Sequence, residues 1–186
     1  MTENNSTVAT PDEVIAFWLE AGPTRWFNKD DAFDARVRER FLSTYETALE
    51  ARLSSWEATP SGALALVIVL DQFPRNMFRG SWRAFAADPI ARSIADRAIA
   101  RGFDQQVDPS LRSFFFMPFM HSENLADLER CVALARQAGD DKTLKYAEQH
   151  ADIVRRFGRF PHRNPVLGRR TTPEEQTFLD GGGFSG

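Results

Sequence analysis

The chain opens helices in the same way four times. Thr10-Pro11-Asp12-Glu13, Asp88-Pro89, Asp108-Pro109 and Thr172-Pro173-Glu174-Glu175 each place a side-chain acceptor before a proline. The acceptor covers N–H groups that a first helical turn leaves without partners, and proline stands where its missing N–H costs nothing. In the first of them, Glu13 supplies the return bond of a capping box. Starts of this kind, repeated along one chain, commit it to an all-α fold.

Apolar spacing then predicts helices near 11–20, 31–56, 61–72, 89–101, 109–117, 122–138, 141–157 and 173–180. In the second, Phe33, Val37, Phe41, Tyr45, Ala48, Leu49, Leu53 and Trp56 recur at helical spacing. The stretch 63–70, ALALVIVL, is apolar all round. It reads as a central buried helix, because no second strand-like segment exists to pair with it. The expected architecture is one domain of about eight helices over residues 10–180, a tetratricopeptide-like stack or a bundle. A disordered tail at 1–9 and a flexible one at 181–186 flank it.

Composition excludes several classes. A net charge of -3 disfavours binding along a nucleic-acid backbone. The longest apolar run, Ala63 to Leu70, is too short to span a bilayer. The start MTENNSTVAT has no basic head and no apolar run, so no signal peptide is expected and the cytoplasm is the expected setting. Cys131 stands alone among Leu128, Val132 and Ala135, which suits a buried thiol.

Three segments carry polar groups in unusual density. The first is Leu70 to Gly80, LDQFPRNMFRG, where Pro74 is expected to end or kink the apolar helix and Asp71 can pair with Arg75 one turn on. Asp71, Arg75 and Asn76 are candidate ligand-binding residues; a helix stop with a structural ion pair is the competing reading. The second is Met117 to Asn124, MPFMHSEN. Here Ser122 reads as an N-cap, Glu123 as a carboxylate in the first turn, and His121 as an acid, a base or a packing residue.

The third is Arg155 to Arg170, RRFGRFPHRNPVLGRR, with six arginines. On the helix before it, Ala147, His150, Ala151, Val154 and Phe157 share one face, so His150 points inward. Asp152 and Arg156 read as a solvent-side pair, and Gly158 as a C-cap. Phe160 and Leu167 need burial, which makes the following loop an ordered one. Guanidinium forks match carboxylate and phosphate geometry. Arg159, His162, Arg163 and Asn164 are therefore candidates for holding an anion. The alternative is that the arginines tie the loop to acidic partners such as Asp71, Glu123 or Glu174. The histidine spacings match no metal pattern, and arginines nearby would repel a cation, so no metal and no cofactor are expected.

These three segments, with the later TTPEE, resemble the bacterial domain-of-unknown-function 924 family across nearly the whole chain. The resemblance implies stacked helices of tetratricopeptide-like arrangement and almost no function. Its polar motif positions map onto Asp71, Gln72, Arg75, Asn76, His121, Ser122, Glu123, His150, Arg159, His162, Arg163 and Asn164. Asn124 stands where similar sequences often carry aspartate, and Leu128 where glutamine is common. Position 124 is therefore a poor candidate for an essential acid.

Three functions follow from these residues. One is a binding module whose Arg- and His-rich pocket holds a small anionic ligand or a peptide terminus. Another is an enzyme on a small anionic substrate, with Glu123, His121 and His150 as acid–base residues and arginines as clamps. The last is a buried polar network that only fixes helix packing.

Overall fold

A computed structural model of the chain describes residues 7–184. The expectation for residues 1–6, and for Ser185 and Gly186, lies outside the described residues. Every regular element of the described chain is helical, and no β-strand forms among those residues. It divides into two compact units: the chain up to Arg79 with Arg83–Pro118, and Gly80–Trp82 with the chain from Phe119 onward.

In the first unit, α1 (Pro11–Phe27) opens with the capping box of Thr10 and Glu13. It breaks at Gly22, whose φ of 68° only glycine adopts at ease. The helix runs on past the expected end near residue 20, through Trp26 and Phe27. Phe17 and Trp18 are buried, and the Trp26 Nε1–H donates to the Trp18 carbonyl at 2.6 Å. The helix α2 (Asp31–Leu49) is shorter than its apolar spacing predicts. Ala51 takes a positive φ of 56°, and Leu53 and Trp56 fall in a separate 3-10 turn and its cap. Apolar residues kept on phase beyond the true end, because a short turn can still bury them.

The helix α3 (Pro60–Val67) is capped by Thr59, a fifth acceptor–proline start that the sequence reading passed over. All of Ala63 to Leu70 is buried, as a central helix requires. Pro74 does not end it. The chain widens into a π turn over Ile68–Gln72, in which the Phe73 N–H reaches back to the Ile68 carbonyl. It then continues as α4 (Phe73–Met77). A wider turn eases the clash between a proline ring and the carbonyl four residues earlier, and it accounts for the missing donor. The helix α5 (Asp88–Ala100) follows, and α3 packs against both α1 and α5. The span 109–117 is a 3-10 turn, Arg112–Phe115, leading into the short α6 (Met117–Met120), rather than one helix. Asp108 still caps its own turn by accepting the Ser110 N–H at 2.9 Å.

The second unit is built on α7 (Leu125–Ala138) and α8 (Asp141–Phe157), which pack along each other. Gly139 and Gly158 end them with φ of 68° and 69°. Leu128, Ala151, Ile153, Val154 and Phe160 form their shared core. The loop after α8 leads through a 3-10 turn at Pro161–Arg163 to α9 (Pro173–Asp180), which opens with the capping box of Thr172 and Glu175. Phe160 is fully buried, as expected, whereas Leu167 lies at the surface. Cys131 is buried, and burial pushes its thiol up to about 12.

Candidate functional site

The sequence candidates fall into three groups, one in the first unit and two in the second. In the first unit, Asp71 sits on the π turn, fully buried. Its carboxylate accepts the Gln72 amide at 2.6 Å and lies 3.3 Å from Arg75, the expected pair one turn apart. Arg75 also grips both oxygens of Asp88 at 2.9 Å each. Asp88 was expected to cap α5. It makes no such cap, because its carboxylate turns to the arginine instead. Asn76 donates to Asp34 at 2.7 Å, on the same carboxylate that Arg79 holds. All three candidates of this segment thus bond to groups of their own unit.

In the second unit, a closed network runs through the arginine loop. Glu123 accepts the Phe160 N–H at 2.7 Å and both arms of Arg169 at 2.6 and 2.9 Å. Arg169 donates through Nε to Asn164 Oδ1 at 3.0 Å, and Asn164 Nδ2 donates to Glu175 at 3.1 Å. Arg159 holds the same Glu175 through two bonds of 2.7 and 2.9 Å. Burial alone would raise the Glu123 pKa, but Arg169 and the Phe160 N–H outweigh it and hold the carboxyl below its usual range. Glu175 is only 2% exposed, yet the Arg159 bonds bring it down to about 2.

Two local expectations fail here. Glu123 is not in the first turn of α7: the N-cap is Asn124, which accepts the Ala126 N–H at 2.9 Å. Ser122 instead donates to Asp127 at 2.6 Å. Asp152 pairs with Arg155 at 2.7 Å rather than with Arg156, which holds Glu174 at 3.1 Å. The first pair stands three positions apart on one helix face, and Glu174 holds Arg156 instead.

The other group in the second unit is aromatic. His150 points inward on α8 and is 6% exposed. Its Nδ1 lies 2.7 Å from the Tyr146 carbonyl, which can only accept. That fixes the proton on Nδ1 and leaves Nε2 as a bare lone pair. His150 and His162 both pack against Phe160, with ring centres 5.4 and 5.7 Å away. Phe184 closes the box at 4.5 Å from His150 and 5.2 Å from His162. The Arg163 guanidinium, 7% exposed as a residue, lies 4.7 Å from the Phe160 ring centre. Burial first, and charge from His121 and Arg163 after it, lower the His150 imidazole to about 4. Burial, Arg163 and His150 do the same for His162. The His162 Nδ1 is buried with no hydrogen-bond partner among the described residues. His121 is the remaining member, coupled electrostatically to His150.

Sequence reasoning missed Asp34, Asp88, Arg169, Glu175 and Phe184. Glu175 was visible only as a capping glutamate; its second role needs the loop folded over it. No described group of three or more His, Cys, Asp or Glu side chains is placed to hold a metal ion. No described helix is long and apolar enough to cross a membrane. Two surface cavities of about 320 Å³ each lie in the first unit. One is lined by Ala48, Leu53, Leu66, Ile90 and Ile94 with Arg97, and the other by Phe17, Arg36, Glu39 and Arg40; no candidate residue borders either.

The protein is thus an all-α protein whose second unit sets a closed ion-pair network beside a histidine–arginine cluster. A family described as bacterial protein of unknown function (DUF924) matches residues 14–183, and the chain belongs to that family. The chain is also similar to a solved structure of a protein of unknown function from Agrobacterium tumefaciens. The two are 47% identical with a TM-score of 0.89, over 92% of this chain and 97% of that one. No curated protein matches the chain.

Proposed function

We propose that the second unit is a binding module that takes a small anionic group, a carboxylate or a phosphate, at His121, His150, His162 and Arg163. The observation that carries this reading is a pair of neutral imidazoles packed on Phe160 within reach of the Arg163 charge. That charge helps to keep both imidazoles neutral. An anion placed among them reverses the effect and lets them take up protons. The buried His162 Nδ1 gains a partner in the same step, and a buried polar atom left without one costs about 1–3 kcal/mol. The α7–α8 pair, read as a tetratricopeptide-like helix pair, is the scaffold, and the cytoplasm is the proposed setting.

Asp71, Arg75, Asn76, Arg159 and Asn164 take an architectural role in this reading, as members of the ion-pair networks that tie helices and loops of each unit together. An enzyme reading has one observation in its favour: the Nε2 lone pair of His150, whose tautomer is fixed, is arranged as a base. Glu123 does not serve as its acid partner. Arg169 holds that carboxylate in its charged form, with no proton to give at neutral pH.

The test is a histidine NMR titration with inorganic phosphate and with acetate. Either anion should raise the pKa of His150 and His162, and binding should tighten as pH falls from neutral. Arg163→Ala should abolish both effects. Unmoved imidazole resonances at saturating concentrations of both anions, in a folded protein, would overturn the reading.

A further inference from the structure

The segment after α9 returns sharply through Gly181, Gly182 and Gly183. The Gly182 N–H bonds to the Leu179 carbonyl at 3.2 Å, and the Gly183 N–H to the Phe178 carbonyl at 2.9 Å. Gly182 takes a φ of 79°. A Cβ at Gly183 would stand 2.6 Å from the Phe178 ring and 2.5 Å from its carbonyl oxygen. Glycine is therefore required here by two independent constraints, and the return delivers the Phe184 ring onto His150 and His162. Both contacts are edge-to-face, at 61° and 77°. Phe184 itself is only partly buried.

We infer that the box of His150, Phe160 and His162 is an aromatic subsite and that Phe184 is its built-in occupant. The ligand class is then an aromatic acid: a ring that replaces Phe184, joined by a short link to a carboxylate that reaches Arg163. This rests on the anion reading above and narrows it. The Phe184 ring already meets both imidazoles edge to face, so the slot favours an aromatic guest over an aliphatic one. The ring lies beyond Asp180, where α9 ends, so exchanging it for a guest leaves that helix in place. The guest is either a free aromatic acid or the carboxyl-terminal residue of a peptide; the recognition chemistry is the same.

The experiment measures binding of 3-phenylpropanoate, hexanoate, acetate and N-acetylglycylphenylalanine by calorimetry. It compares the native chain with Phe184→Ala and Phe184→Leu, whose folding is checked by circular dichroism. Removing the resident ring should tighten 3-phenylpropanoate by about tenfold, the worth of one aromatic contact. Acetate should be unchanged, and Phe184→Leu should fall between. If Phe184→Ala fails to fold, the Leu variant carries the comparison. Tightening of the peptide alone assigns the guest to a chain terminus, and tightening of the free acid assigns it to a metabolite. Equal gains for acetate and hexanoate, or no gain for either aromatic acid, would overturn the subsite while acetate binding keeps the anion reading intact. If no acid binds any variant, both fall.

Discussion

Arg169 grips Glu123 with both arms of its guanidinium, at 2.6 and 2.9 Å, across 46 residues of chain. The same side chain reaches Asn164 and the Phe160 carbonyl at 3.0 and 3.2 Å. One arginine thus fixes the entry to α7, the ring at the centre of the histidine box and the start of the run into α9. Planar fork-to-fork contact gives this pair direction as well as attraction.

Glu123→Gln keeps the shape and removes the charge. Both side chains are about a quarter exposed, so the expected loss is roughly 2 kcal/mol, below the ~3–5 kcal/mol of a fully buried broken pair. Urea denaturation monitored by circular dichroism checks it. An unchanged midpoint would show that the loop does not depend on this pair.

Arg75→Lys tests the first unit. Lysine keeps a charge near Asp71 but cannot span both oxygens of Asp88. Asp71 is fully buried, so the variant should lose roughly 3 kcal/mol, and Arg75→Met should lose more. Denaturation midpoints of the two variants give the order, and a lysine variant as stable as the native chain would contradict it.

Acid should destabilise the protein in two steps. His150 and His162 are lowered from 6.5 to about 4 in the folded chain. Between those values the unfolded chain binds protons that the folded chain refuses. Stability should therefore fall as pH drops from about 6.5 to about 4, by up to about 1.4 kcal/mol per pH unit for each proton. Glu175, lowered from 4.5 to about 2, gives a stabilisation present above 4.5 that is lost below it. Melting temperatures across this range, with His150→Phe and His162→Phe as controls, check the assignment. The histidine variants should flatten the upper step and leave the lower one.

Cys131 should be inert in the native protein. Its thiol is buried and raised to about 12, which leaves almost no thiolate at pH 8. Reaction with a disulfide reagent should proceed only in denaturant; rapid native labelling would place the thiol near the surface.

Much of the fold was legible because it rests on local chemistry. Thr10 and Thr172 cap as their sequences require, and the inward turn of His150 follows from spacing alone. The Asp71–Arg75 pair and the arginine contacts to Glu123 and Glu174 were also open to the sequence, as acidic partners of the arginine-rich segments. What could not be read depends on distant partners competing for one group. Asp88 looks like a cap until Arg75 claims it, and Glu175 looks like a cap alone until Arg159 and Asn164 arrive. Phe184 follows a run of glycines whose composition suggests slack; only the collision awaiting a Cβ at Gly183 shows why the run turns as it does.

The π turn at Ile68–Gln72 makes helix length in that segment a coded quantity. It acts as a one-residue phase shifter between the apolar rod before it and the polar groups after it. Deleting any residue of the turn would restore regular winding and rotate everything beyond by about 100°. Arg75 would then turn away from Asp88, and Asn76 from Asp34, with no side chain altered. Over these few positions substitutions should be tolerated more readily than changes in count.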